Sequence, residues 1–169
     1  FMAQDALGRE WQVATIQLDM NMPERVDLTC VNEEGAHERI VMIHAAIMGS
    51  IERFLSILIE HTAGHFPLWL APEQIRILPI GERHQEYAAA VARDLTQAGL
   101  RVSVDASSES LGKRIRNAKV GKLPYLVVVG DKEMEEGMLS VESRTQGQIG
   151  ALTSASFVDT LLQEISEKR

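Results

Sequence analysis

Apolar and polar residues alternate over Trp11 to Met20, WQVATIQLDM. Trp11, Val13, Thr15, Gln17 and Asp19 fall on one side; Gln12, Ala14, Ile16, Leu18 and Met20 fall on the other. A period of two is that of a strand, here with one decidedly polar face. A second extended run follows Pro23 and ends at the turn NEEG (Asn32 to Gly35), and Arg39 to Met48 reads as a third strand, nearly all apolar. Strands joined by short turns predict an antiparallel sheet. From Ser50 the period changes. Ile51, Phe54, Leu55, Leu58 and Ile59 recur at helical spacing, with Ser50 the expected N-cap and Gly64 the stop.

The segment FPLWLAPEQ (Phe66 to Gln74) has two prolines and no periodicity, so a junction is expected near Ala71, dividing the chain into residues 1–70 and 71–169. Beyond it, Ile75 to Ile80 reads as a strand, followed by a helix with Tyr87, Ala88, Val91, Ala92, Leu95 and Ala98 on one side and Gly99 at its end. A short strand LRVSV precedes a basic helix, Glu109 to Lys119, with Leu111 and Ile115 facing inward. PYLVVVG (Pro124 to Gly130) is an expected buried strand, DKEMEEG a turn, and Met138 to Glu142 a further strand. The last helix is expected to start from Ser156, with Asp159 three residues on, and to bury Val158, Leu161, Leu162 and Ile165. Strands alternating with helices predict a β-α-β-α-β-β-α unit whose parallel or mixed sheet is covered by helices. The chain shows no internal repeat and no low-complexity tract.

With 169 residues, 45% of them hydrophobic, and a formal net charge of -7, the composition fits a globular protein, and the change of pattern favours two small domains over one large one. No apolar run approaches the roughly 18 residues that cross a bilayer, and FMAQDALGRE lacks a basic region followed by an apolar one, so a cytoplasmic protein without a membrane partner is expected. The single Cys30 excludes an intrachain disulfide and, within DLTCVN, is expected to be buried and inert. The acidic total argues weakly against nucleic acid, yet Lys113, Arg114, Arg116, Lys119 and Lys122 make a local basic patch with no acidic residue among them.

The stretch IMGSIERF resembles motif 3 of the class II aminoacyl-tRNA synthetases, in which a Gly precedes a helix beginning Glu-Arg. Around it, GREWQVATIQLD, PERVDLTCV, VMIHAAIMGSIERF, FPLWLAP and LPYLVVVGDKE look like successive landmarks of the threonyl-tRNA synthetase family, in order and at compatible spacing. The resemblance implies a C-terminal portion with α+β and α/β parts: a partial class II antiparallel sheet with its motif 3 helix, then an α/β anticodon-binding domain. The family reaction joins threonine to ATP as an adenylate and transfers the threonyl group to its tRNA.

Carried over residue by residue, the resemblance makes Arg53 the motif 3 arginine that holds the triphosphate of ATP. A permanently charged planar group beside a helix N-terminus suits phosphate. His44 matches the strand histidine that ligates a zinc ion, and that ion coordinates the amino group and hydroxyl of threonine. Gln12, Thr15 and Gln17 match positions facing ATP and the amino acid, with Ser50 at the base of the pocket. Thr15 and Gln17 share the polar face, whereas Gln12 lies on the other and rests on the family alone. Arg53 and His44 are expected to face one cleft. Arg116, with Lys113 on the same basic helix, and Glu133 in GDKE match positions that contact the anticodon stem-loop. The resemblance further implies Mg2+ with ATP and a homodimer for the complete enzyme.

Read without the family, each of these residues has a plainer setting. An Arg in a first helical turn is ordinarily a surface residue, a His on an apolar strand ordinarily a satisfied buried one, and a charge run ordinarily a solvated face. One histidine does not bind zinc, which needs about three protein ligands, so little or no zinc is expected in this chain alone. His37, His61, His65 and His84 are expected to be solvated. The chain departs from the family at Ala45, where Arg usually follows the zinc histidine, and at Glu142, where an arginine commonly helps read the anticodon. Ser107 to Ser110 also replace a more basic stretch. With no candidate for motif 1 or motif 2, the isolated chain is expected not to aminoacylate. A non-catalytic tRNA-binding or regulatory paralogue is the alternative, favoured by Ala45 and Glu142; a class IIa synthetase for proline, glycine or histidine comes third.

Overall fold

The computed structural model describes residues 1–168. Contacts divide the chain into two compact units, Phe1–Ala63 and the residues from Gly64 onward.

The first unit is a set of three antiparallel ribbons and two helices. Strand β1 (Met2–Gln4) pairs with β2 (Glu10–Gln12), β3 (Thr15–Asp19) with β6 (Met42–Ala46), and β4 (Thr29–Val31) with β5 (His37–Arg39). Helix α1 spans Asn21–Arg25 and α2 spans Ile51–Thr62. The expected strand Trp11 to Met20 is broken between β2 and β3, because the amides of Val13 and Ala14 both turn to the carbonyl of Phe1, at 3.0 and 3.5 Å. The expected strand Arg39 to Met48 is likewise split, with Ile40 donating to Leu28 at 3.4 Å. Pro23 lies in α1, whose first turn is held by Asp19: its carboxylate accepts from the amides of Asn21 and Met22. Ser50 caps α2 as expected, its hydroxyl accepting the Arg53 amide at 3.4 Å. The helix ends with Ala63 left-handed (φ 49) and Gly64 beyond it at φ 77.

Pro23 is the only buried residue of this unit among those described. The apolar face of β3 lies open, with Ile16 63% exposed, and Ile43 of β6 is 70% exposed. Ile51, Leu55 and Ile59 on the apolar stripe of α2 are exposed as well. Cys30 is exposed too, contrary to expectation, because nothing packs over the β4–β5 ribbon that carries it.

The second unit is built on one mixed sheet. Its elements are β7 (Ile75–Pro79), a 3-10 turn (Glu82–His84), α3 (Gln85–Gln97), β8 (Val102–Val104), α4 (Leu111–Val120), β9 (Tyr125–Val129), α5 (Asp131–Glu136), β10 (Leu139–Ser143), β11 (Gly147–Leu152) and α6 (Ser154–Ser166). The strand order is β11-β10-β9-β7-β8, with β7 parallel to both neighbours and β10 antiparallel to β9 and β11. Strands β8 and β9 flank β7 on opposite sides, so right-handed crossovers place α3 and α4 on opposite faces of the sheet. One face buries Ile75, Ile77, Val91, Leu95, Val127, Val129, Phe157 and Leu161 in the main core. The other holds a smaller cluster of Ala118, Leu123 and Leu126. Within the core the rings of Tyr125 and Phe157 meet edge to face at 5.6 Å.

Four local expectations fail here. DKEMEEG is a short helix, not a turn. Glu133 reaches back to accept the Gly130 amide at 2.9 Å, acidic residues occupy the first turn, and Gly137 closes the end at φ 66. Strand β11 was not foreseen, since two glycines break its alternation; Gly150 sits at φ 113 beside a register shift between Val141 and Glu142. Thr153, not Ser156, caps α6, its hydroxyl accepting the Ser156 amide at 3.2 Å. Phe157 and Leu161 are fully buried on this helix, whereas Leu162, expected inside, is 41% exposed.

Candidate nucleotide pocket and nucleic-acid interface

In the first unit, the β3–β6 register sets Gln17 directly opposite His44. Their side chains touch: His44 Nε2 lies 2.5 Å from Gln17 Oε1. An amide oxygen only accepts, so Nε2 carries the proton and donates. Thr15 and Asp19 share the Gln17 face by alternation. Arg53 is exposed in the first turn of α2 and its Nη1 donates to the Gln12 carbonyl at 3.3 Å, so Gln12 meets Arg53 through its backbone. Ser50 Oγ donates to Glu52 at 2.8 Å besides capping the helix. The structure thus joins Gln17 to His44 and Arg53 to Gln12; no hydrogen bond among the described residues links the two pairs.

The donor set does not fit a zinc ion by itself. His44 is one ligand of the roughly three required, its Nε2 is engaged as a donor to Gln17, and no group of three His, Cys, Asp or Glu side chains among the described residues could hold a metal.

In the second unit, the carboxyl ends of β7, β8 and β9 open on one edge of the sheet, where ligands of such folds gather. Three segments meet there: residues 80–85 after β7, 105–110 after β8 and 130–133 after β9. Lys113 and Arg116 are exposed on α4, and Lys113 pairs with Glu109 at 2.5 Å. Glu133, by contrast, spends one carboxylate oxygen on the Gly130 amide. Lys119 pairs with Glu142 at 2.6 Å, so the carboxylate that stands where the family commonly has arginine is neutralised by a lysine of α4.

Two residues at this edge escaped sequence reasoning. His84 is buried, not solvated: Nδ1 accepts the Gly81 amide at 3.0 Å and Nε2 donates to Asp131 at 2.9 Å, tying the β7 loop to the start of α5. The His84 hydrogen bond holds the Asp131 carboxyl below the usual aspartate range, helped by Arg83, which also pairs with it. Arg114 was counted in the basic patch but is 4% exposed. It falls with Leu111, Ile115 and Ala118 on the inward stripe of α4, a spacing that was readable; Leu111 and Ile115 are only half-buried. Its Nη1 donates to the carbonyl of Asp105 and its Nη2 to that of Pro79, both at 2.8 Å. Its Nε is buried without a partner.

Residues 74–164, more than half of the chain, match the anticodon binding domain family, and residues 1–62 match the tRNA synthetase class II core domain of the glycine, histidine, proline, serine and threonine enzymes. The chain belongs to the anticodon-binding-domain family, here preceded by a class II core segment. Over nearly its whole length it is similar to threonine–tRNA ligases. It is 53% identical to that of Syntrophomonas wolfei over 99% of the chain and 50% identical to that of Thermus thermophilus over 100%, in each case covering 26% of the relative. Among solved structures, the RNA binding domain of threonyl-tRNA synthetase from Cryptosporidium parvum aligns with a TM-score of 0.81 at 36% identity, over 96% of this chain and 41% of that one. The chain therefore spans about a quarter of the length of the curated relatives it matches. No helix among the described residues is long and apolar enough to cross a membrane.

Proposed function

We propose that the chain is the C-terminal part of a threonyl-tRNA synthetase, with its domain boundary between Ala63 and Gln74, and that the complete protein uses ATP to attach threonine to its tRNA. The observation that carries this reading is one chain holding a class II core segment, with Arg53 in the first turn of a Ser-capped helix, followed by an anticodon-binding unit. Arg53 neutralises the triphosphate, accompanied by Mg2+. Thr15, Gln17 and Gln12 bound the ATP and amino-acid pocket, with Ser50 at its base. His44 would supply one zinc ligand if its Nε2 were freed from Gln17, and the remaining ligands would have to come from other protein groups. Arg116, Lys113 and Glu133 face the anticodon stem-loop; each lies on α4 or α5, which start from the ligand-binding edge of the sheet. A cytoplasmic homodimer is the expected state of the complete protein.

Arg53→Ala in the complete protein is expected to lower threonine-dependent ATP–pyrophosphate exchange by about 10²-fold or more, the usual loss when a preorganised charge is removed from a reacting anion. The 169-residue chain alone should give no exchange; a threonine-dependent signal from it overturns the division of labour proposed here. A second reading, a non-catalytic tRNA-binding paralogue, is favoured by Ala45 and Glu142. It predicts a complete protein that retains threonine tRNA over a mismatched tRNA on filters across a salt series yet never charges it.

A further inference from the structure

We infer that Arg114 is a positioning residue: its guanidinium ties the carboxyl end of β7 to the loop after β8 and so fixes both walls of the crevice between residues 80–85 and 106–109. This inference rests on the RNA-binding reading above for its functional consequence, and on geometry alone for its structural one.

The crevice has a volume of about 300 Å3 and is lined by Ile80, Gly81, Gln85, Ser107, Ser108 and Arg114. Its two walls come from neighbouring parallel strands that part at this point, β7 leading into the 3-10 turn and β8 into α4. Strand pairing cannot hold them together past that point. The paired register ends at Ile77 and Val104, with one further bond from the Asp105 amide to the Ile77 carbonyl. Beyond it the carbonyls of Pro79 and Asp105 have no strand partner, and Arg114 supplies both with donors from one rigid planar group.

The other contacts of each wall do not cross the crevice: His84 and Arg83 bind Asp131 of α5, and Glu109 pairs with Lys113 of α4. On the β8 side, Asp105 accepts the Ser107 amide; on the β7 side, Gly81 donates to His84. Neither joins the two walls, so the cross-tie falls to Arg114. Burying a guanidinium with Nε unpaired is unfavourable, and apolar residues would fill the inward stripe of α4 at lower cost. What those residues lack is a fork that reaches two carbonyls at once. Arg114 is buried, whereas Lys113 and Arg116 on the same helix are exposed.

The test compares the chain with Arg114→Gln and the milder Arg114→Lys, reading amide hydrogen exchange by segment and binding of an anticodon stem-loop of threonine tRNA. For Arg114→Gln, exchange is expected to rise about tenfold or more in residues 80–85 and 106–109 together, with β9 and α3 unchanged. Stem-loop affinity should fall roughly tenfold without a change in its salt slope, since no phosphate contact is removed. Arg114→Lys, which keeps the charge and reaches one carbonyl, should recover part of both effects. Unchanged exchange in either segment in both variants overturns the cross-tie, as does faster exchange spread over the whole sheet in both. Looser walls with unaltered affinity overturn its role in RNA reading. Failure of the unsubstituted chain to bind the stem-loop overturns the RNA reading itself, and the exchange result still decides the cross-tie.

Discussion

The first unit buries a single proline among its described residues, whereas the second closes a core of Ile, Leu, Val and Phe residues around one sheet. Both halves carry equally clear amphipathic patterns: the apolar stripe of α2 is as regular as that of α3. Periodicity announces that a face wants covering; it does not supply the cover. In the second unit, strand order brings two helices onto one sheet face and one onto the other. In the first, two-stranded ribbons have no second layer, and isolated ribbons are marginal in water. Its specific contacts are polar and at the surface, such as Arg9 bridging Asp5 and Glu60.

The sharpest way to break this contrast is to truncate one apolar side chain in each half. Phe157→Ala should cost the second unit about 3–5 kcal/mol, and Ile16→Ala should stay within about 0.5 kcal/mol. Urea midpoints measure both, and equal losses would show that the first unit owns a core after all. A middle-sized effect concerns charge. Glu142→Arg frees Lys119 and adds a cation to the unit proposed to read RNA, so stem-loop binding should tighten several-fold at low salt and its salt slope should steepen by about one. A filter-binding series across salt reads both.

The smallest expected effect is in pH dependence. Burial pushes the Glu73 carboxyl up, but hydrogen bonds from Arg76 and Ser103 more than reverse it, leaving it below the ordinary glutamate range. A depressed carboxyl stabilises the fold above its unfolded-state pKa and loses that contribution as pH falls through the folded-state one. Glu73→Gln should therefore flatten the acid limb of the second unit's stability below roughly pH 4, by under about 1 kcal/mol, with no change in the first unit. Thermal melts over a pH series check the sign.

Local chemistry was legible where a residue acts on its own neighbours. Ser50 announces α2, the run Tyr125–Val129 is the central buried strand its composition predicts, and Gly99 ends α3. Motif order led to the family, which the matched domains then bore out. Misreadings arose where a distant group intervened. The Phe1 carbonyl breaks the strand at Val13, and Thr153 outcompetes Ser156 for the α6 cap. Asp131, 47 residues away, draws His84 inward.

The sequence by itself determined the main helices and strands, the family and which residues carry charge, because propensity, capping and periodicity act over a few residues. Only the tertiary structure decided which charges face outward. Arg114 and Arg116 are two positions apart on one helix, yet the first is sealed beneath the sheet edge and the second stands in solvent. A helix turns about 100° per residue, so two steps carry a side chain to the far side, and the sheet beneath α4 sets which side is covered.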